Sequence, residues 1–279
     1  MVAVVFGLVL AGVAVLLVFL AKRAEKRVHY MKATDTTKVG SLVELANQVA
    51  SEMPDGLALG FKDYVELKGK IACDEPLQCE FSDARAAIVE TQVIREFERR
   101  EERRDPQGNL RTEWRRGSDT LSSNRREAIF YIDDGTGRLR VKPNKDVELV
   151  KVVERFEPAS AMQSGFGGQV TLSLGRFQMS LGSGFDLSGS RTLGFRFIER
   201  ILPIDKQAYA LGEVAQTEDE GLVLRAPTDD DKKKTFIVSV RSEEDIVRAS
   251  QKSARILRIV AIVLAAGGAA LLVVGLIKP

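Results

Sequence analysis

Two uncharged runs at opposite ends of the sequence constrain this chain more than any other feature. Val2 to Ala21 (VAVVFGLVLAGVAVLLVFLA) carries no charge over twenty positions. At about 1.5 Å of rise per residue, a helix of that length reaches about 30 Å, the thickness of a bilayer's hydrocarbon core. Ile259 to Ile277 (IVAIVLAAGGAALLVVGLI) adds nineteen more uncharged residues, with Arg255 and Arg258 before it and Lys278 after it. No Lys or Arg precedes the first run, so the basic leader of a cleaved signal peptide is missing. The second run is too long and too uniformly apolar for a buried helix. Both are expected to span a membrane, as helices at 1–21 and 256–277.

Basic residues set the expected orientation. Lys22, Arg23, Lys26 and Arg27 follow the first run, and Arg248, Lys252, Arg255 and Arg258 lead into the second, whereas the outer ends carry only Lys278 and the terminal amine. At a prokaryotic inner membrane, the expected setting, the excess of positive charge on the inner flanks places residues 22–255 in the cytoplasm. Ala3, Gly7 and Ala11, and again Ala261, Ala265 and Ala269, recur every four residues. Such a stripe is either ordinary Gly/Ala content or a packing face that pairs the spans or joins several chains.

With 279 residues, 44% hydrophobic and 29% charged, the chain can bury the core of one or two domains, and its net charge of +2 gives no pull toward an acidic partner. Cys73, Cys79 and His29 are too few soft ligands for a zinc site. A disulfide would close a very short loop, and a cytoplasmic location would keep both thiols reduced. Both cysteines are expected to be small strand residues, and no metal or cofactor is expected.

Residues 22–59 read as a juxtamembrane connector and one short amphipathic helix. Leu42, Leu45, Ala46, Val49 and Met53 keep helical spacing, and Pro54-Asp55-Gly56 ends the segment. Over 60–245 the period changes to two. Val65, Leu67 and Ile71 predict one strand, and Val89, Thr91, Val93 and Phe97 predict another. REFERREERR (95–104) and the turn signal Asp105-Pro106-Gln107-Gly108 predict a long charged hairpin held by its cross-strand pairs. Ten arginines lie between Arg95 and Arg126, but acids interleave and aromatics are sparse, which argues against nucleic acid as a partner. After a Gly/Ser-rich stretch, Val170, Leu172 and Leu174 alternate, then Phe177, Met179 and Leu181. These strands are too short to cross a bilayer. Their shared apolar face is expected on the core, on the membrane surface or on a neighbouring chain, which makes the six residues a candidate assembly surface.

FYIDDGTGRLRV (130–141) has the composition of several chemical sites. An EF-hand counted from Asp133 would need Glu where Asn144 stands. The D-x-D-G-T pattern of haloacid-dehalogenase phosphatases needs a residue between the aspartates, and Asp133 and Asp134 are adjacent. No P-loop run occurs, and the glycines at 165, 167 and 168 precede no helix pattern. A hairpin accounts for more of the pattern. Phe130, Ile132, Leu139 and Val141 fall on one face, and Tyr131, Arg138, Arg140 and Lys142 on the other. Gly135 and Gly137 supply the turn, and the Asp133 side chain bonds forward to turn amides. Replacing either glycine should damage folding, whereas Asp134→Asn should cost little. The D-G-T-G turn resembles those of OB-fold barrels, which bind through a face and loops.

AIFYIDDGTGRLRVKP (128–143), VELKGKIACDEPLQC (65–79), ERILPIDKQAYALGEV (199–214) and FIVSVRSEEDI (236–246), in that setting between two spans, resemble the GIDE or BAM (beside-a-membrane) domain. That family includes mitochondrial-anchored ubiquitin ligases and their chloroplast and prokaryotic relatives. The resemblance marks Asp133, Asp134, Gly135, Thr136, Gly137, Pro143, Gly69, Pro76 and Gly212 as family positions with structural roles. It implies a mainly β fold: an OB-like, hairpin-rich domain with a short helix, flanked by two transmembrane helices.

In the eukaryotic ligases a zinc-binding RING follows the second span; no such residues follow here, so ubiquitin transfer by this chain alone is not expected. The run EFSDARAAIVETQV (80–93) also departs from the family pattern. The expected function is a non-enzymatic protein-binding or assembly module beside a membrane, with a homo-oligomer and the lipid bilayer as candidate partners and the protein partner unknown. The alternatives are a ligase subunit acting with a separate RING, and an oligomerising effector that perturbs the bilayer.

Overall fold

A computed structural model describes residues 2–52, 61–104, 108–161, 170–182, 190–228 and 234–277. The expected turns at 54–56 and 105–107 and the glycines at 165, 167 and 168 lie outside them. The first apolar run opens helix α1 (Val2–Ala33), which continues three turns past Ala21 because Lys22–Ala33 contains strong helix formers and neither Gly nor Pro. Helix α2 (Val39–Glu52) follows. The strands are β1 (Lys62–Ala72), β2 (Leu77–Gln78), β3 (Arg85–Arg104), β4 (Leu110–Glu127), β5 (Phe130–Asp133), β6 (Arg138–Val141), β7 (Val150–Pro158), β8 (Val170–Leu174), β9 (Phe177–Leu181), β10 (Ser190–Pro203), β11 (Gln207–Thr217), β12 (Gly221–Arg225) and β13 (Ile237–Ser239). Helix α3 (Glu243–Ile277) comes last. Its start is set locally, with the Ser242 hydroxyl accepting from Asp245 N–H at 3.2 Å and three acids in the first turn facing the positive end of the helix dipole.

The chain divides into two compact units, one of residues 1–69, 132–147 and 207–279, the other of 70–131 and 148–206. The first is built on a sheet in the order β1-β5-β6-β12-β11, which closes because β11 also pairs with β1, while β13 adds to β11. β6 and β12 run parallel, with Leu224 opposite Val141, and β11 and β12 run antiparallel. This is an OB-like barrel, and closure removes the exposed edges of an open sheet. The alternation expected around the opening turn holds: Phe130, Ile132, Leu139 and Val141 are buried.

In the same unit α1 and α3 lie against one another. A Cβ on Gly268 would come within 3.0 Å of the Gly7 carbonyl oxygen, and one on Gly7 within 2.8 Å of Leu272 Cγ. Buried small residues recur every seven positions, Ala14 and Ala21 on α1 and Ala254 and Ala261 on α3. The seam therefore corrects the four-residue stripe: Gly7, Ala11 and Ala261 lie on it, while Ala265 and Ala269 point outward. A seven-residue repeat keeps one face toward a partner along two wrapped helices, whereas a four-residue repeat drifts around the helix.

The second unit is a sheet in the order β2-β3-β10-β7, with β4 also paired to β3. The β8–β9 hairpin covers one face of it. Leu172 and Leu181 are buried with Phe81, Val93, Phe195 and Phe197, and Val170, Leu174, Phe177 and Met179 pack against them. Rings of Phe81, Phe177 and Phe197 meet edge to face at 5.3–6.2 Å. The candidate assembly surface is thus occupied by the chain's own core, since Phe195 and Phe197 on β10, with Phe81 beside them, need covering.

The long hairpin forms, with β3 and β4 paired from Ile88↔Glu127 to Arg104↔Leu110. Its direct pairs differ from the expectation. Toward the tip, Arg99 faces Arg115, Glu101 faces Glu113 and Arg103 faces Arg111. Like charges opposite one another destabilise a ladder; here the attraction runs diagonally, as in Arg115–Glu101 at 3.4 Å. Cys73 and Cys79 are free thiols just beyond the ends of β1 and β2 rather than within strands, and burial pushes both thiols up.

Candidate functional site

Strand β11 along most of its length, and β1 over Val65–Leu67, are buried on both faces, which a barrel strand open to water would not be. Val65 and Leu67 on β1 are buried, yet so is the intervening Glu66. Around it, Met31 near the end of α1, Ile246 near the start of α3, Tyr209 and Leu211 on β11 and Ile237 on β13 form one apolar cluster, with Tyr64 and Val247 against it. The helix pair and the barrel therefore share a core.

Glu66 is the polar centre of this junction. Its Oε1 accepts from the Thr36 hydroxyl at 2.5 Å and from Lys68 Nζ at 3.0 Å, and its Oε2 accepts from the Tyr209 hydroxyl at 2.9 Å. Lys68 Nζ also reaches Glu243 Oε2, in the first turn of α3, at 2.8 Å. The bonds from Thr36, Lys68 and Tyr209 satisfy the buried Glu66 carboxylate, which would otherwise carry a desolvation penalty of several kcal/mol, while Glu243 is half-buried. Burial, and then the bond to Glu66, push the Tyr209 hydroxyl far up, so it stays a donor at any physiological pH. The hydrogen bond that Lys68 donates to Glu243 leads in holding Lys68 above its ordinary value. Beside this hub the Tyr64 hydroxyl donates to the Thr235 carbonyl at 2.6 Å and accepts from Thr235 N–H at 3.1 Å. The arrangement fixes the start of α3 and the end of α1 to two barrel strands.

The opening motif sits elsewhere in the same unit and has a long-range partner. Asp133 Oδ1 accepts from Gly135 N–H at 2.9 Å, and its Oδ2 from Arg138 Nε at 3.1 Å, as the hairpin reading expects. Asp134 does more. Its Oδ1 accepts from the Thr136 amide and hydroxyl, while its Oδ2 accepts from Val39 N–H at 2.9 Å. Thr136 Oγ1 accepts from Gly40 N–H at 2.9 Å. The turn thus caps the N-terminus of α2, a helix ninety-odd residues away in sequence, and satisfies two donors that the preceding Thr37 and Lys38 leave open. Asp134→Asn would remove one of two acceptors in use, so the expectation that it costs little is corrected. The Gly135 backbone is left-handed (φ +83°), and a Cβ on Gly137 would press on Val39 Cγ1 at 3.1 Å.

The remaining family positions are scattered. Gly69 lets β1 approach the Asp133 carbonyl, 2.6 Å from where a Cβ would lie, and Gly212 does the same for the Arg225 carbonyl at 2.8 Å. Pro143 follows β6 and Pro76 precedes β2. Among the described residues no group of three or more His, Cys, Asp or Glu is arranged to hold a metal ion. Sequence reasoning missed three buried glutamates, each inside a stretch that carries the family resemblance. Besides Glu66, Glu199 accepts from the amides of Glu80 and Phe81 at 2.9 and 2.8 Å and from the Ser82 hydroxyl at 2.5 Å. Glu213 takes Arg225 Nε and Nη2 at 3.0 and 2.9 Å. An acid set directly against apolar strand residues, as in YVELKG and RFIERIL, was the available signal.

A family model described as GIDE, E3 ubiquitin ligase, matches residues 98–275. The chain belongs to the GIDE family. Two Arabidopsis thaliana proteins are similar to this GIDE chain. The E3 ubiquitin-protein ligase SPL1 is 25% identical over 158 residues, 54% of this chain and 39% of that protein. The E3 ubiquitin-protein ligase SP1 is 25% identical over 220 residues, 79% and 55% respectively. The GIDE chain therefore spans 39% and 55% of the length of these relatives. No solved structure matches it. The family match begins inside β3, so the Glu66 strand lies outside the matched segment while Tyr209 and Glu243 lie within it.

Proposed function

We propose that this GIDE-family chain is a two-span membrane protein whose barrel works as a non-enzymatic binding or assembly module beside the bilayer. The observation that carries this reading is the Glu66 junction, where the ends of both apolar helices and two barrel strands share one core. A barrel bolted to its anchor holds its loops at a fixed height above the lipid and presents them to partners there. The basic flanks of the spans support a cytoplasmic position for the module, at a prokaryotic inner membrane.

Chemical crosslinking with mass spectrometry on the full chain in native membranes tests this. The expected result is recurrent crosslinks from barrel lysines such as Lys62 and Lys142 to one protein or to a second copy. Crosslinks confined to the chain itself, with a monomer by analytical ultracentrifugation in detergent, would sink the reading. The relatives' ligase names favour a second reading, a ligase-family subunit that engages a protein for modification by a RING on another chain. Ubiquitin-type transfer by the purified full chain alone would replace both with a direct enzyme.

A further inference from the structure

The exposed cations where the helix pair leaves its apolar runs form a collar of fitting chemistry for phosphate. On α1, Lys22, Arg23 and Lys26 are exposed and follow directly on Ala21. On α3, Lys252, Arg255 and Arg258 are exposed and precede Ile259. At about 1.5 Å per residue, Lys22, Arg23, Arg258 and Arg255 lie within about 6 Å of the ends of the runs, and Lys26 and Lys252 within about 8–11 Å. The headgroup layer on each side of a bilayer is about 5–7 Å thick, and long basic side chains bend toward it. One acid interrupts the collar, Glu25, which is taken up by an ion pair with Arg258.

The α3 side is also shaped. A shallow open groove of about 400 Å³ runs along the helix, lined by Arg248, Gln251, Lys252, Arg255, Ile256 and Ile259. It is basic at one end and apolar at the other, in the order in which a phospholipid lying along the helix presents its headgroup and the start of its acyl chain.

We propose that this collar is a binding site for anionic phospholipid headgroups, with Lys252 and Arg255 as its centre on α3 and Lys22 and Arg23 on α1. The proposal rests on the reading of both helices as membrane spans. It goes beyond that reading by naming a lipid class and its residues, since a span needs only apolar lipid contact. Lys252 and Arg255 are free for this role, as neither makes a hydrogen bond or ion pair to another described side chain. The remaining acids near the helix start, Glu243, Glu244 and Asp245, lie two or more turns farther from the apolar run. Cations placed in this layer each add to the attraction for an anionic surface.

The test uses the full chain reconstituted in bilayers of equal parts phosphatidylglycerol and phosphatidylcholine. Alkaline extraction is done first; a chain released by it does not span, and the membrane reading fails independently of the lipid site. For a chain that stays inserted, native mass spectrometry counts retained lipids of each class. The expected result is a preference for phosphatidylglycerol of about tenfold, reduced to near parity in K22Q/R23Q/K252Q/R255Q and kept in the charge-preserving K22R/R23K/K252R/R255K. Glycerol phosphate added in solution should leave the preference intact. No preference in the unaltered chain, a preference that survives the glutamine substitutions, or one abolished by glycerol phosphate would each overturn the proposal.

Discussion

Asp134 shows how a single side chain gains importance from a distant part of the fold. Its carboxylate serves both the turn and the α2 N-terminus, so Asp134→Ala should destabilise by about 1–2 kcal/mol, the usual cost of losing a cap. Asp134→Asn should cost less, because one acceptor survives, and a thermal unfolding series in detergent should rank unaltered chain, Asn and Ala in that order. Desolvation works to raise its pKa, but the bonds from Thr136, Val39 and neighbouring amides outweigh it and hold the carboxyl below its ordinary value of 3.8. A depressed pKa stabilises the fold above the unfolded value and loses that contribution as pH falls through the folded one. Below pH 3.8 the unaltered chain should therefore lose stability more steeply than Asp134→Ala, as read from urea midpoints. Gly135→Ala should be unfavourable by about 1–2 kcal/mol for its left-handed backbone alone.

At the scale of elements, three predictions separate contacts that look alike in sequence. Tyr209→Phe should destabilise by about 1–3 kcal/mol, because it strips a donor from a buried carboxylate without returning water. Thermal unfolding followed by circular dichroism measures this, and an unchanged midpoint would show that Glu66 has no need of that bond. Leu172→Asp should unfold the second unit rather than unmask a membrane-active surface, since Leu172 is wholly buried against phenylalanines. Loss of protease resistance across residues 148–206 is the expected readout. For the helix pair, extending the Gly7–Gly268 approach by seven residues brings Ala14 beside Ala261. Cysteines at those two positions should crosslink efficiently in membranes, and adding Gly268→Leu should lower the yield, because its side chain would need the space now held by the Gly7 backbone.

Across the whole molecule, the helices and barrel are tied by bonds that arrive from four separate segments, at Thr36, Glu66–Lys68, Tyr209 and Glu243. No two of these segments are neighbours in sequence, so the junction depends on the closed barrel that brings β1 beside β11. The same chain-wide arrangement explains the two-piece second unit. It is inserted between β1 and β5 and again between β6 and β11, and its sheet is assembled when those pieces pair through β3 and β10.

By itself, the sequence determined what depends on local pattern. The two long apolar helices follow from length and absence of charge, the turn at 133–137 from glycines between alternating strands, and the long hairpin from its period and turn residues. The tertiary structure decided everything that depends on which surfaces meet. Alternation placed Val65 and Leu67 inside, but only the covering helix ends buried Glu66. Spacing found apolar residues on β8 and β9 but not the phenylalanines of Phe81 and β10 that they cover. Small residues every fourth position were visible, yet the seam follows every seventh, because it is the partner helix that selects which face is buried. Periodicity reports the shape of one element, and burial is a property of two.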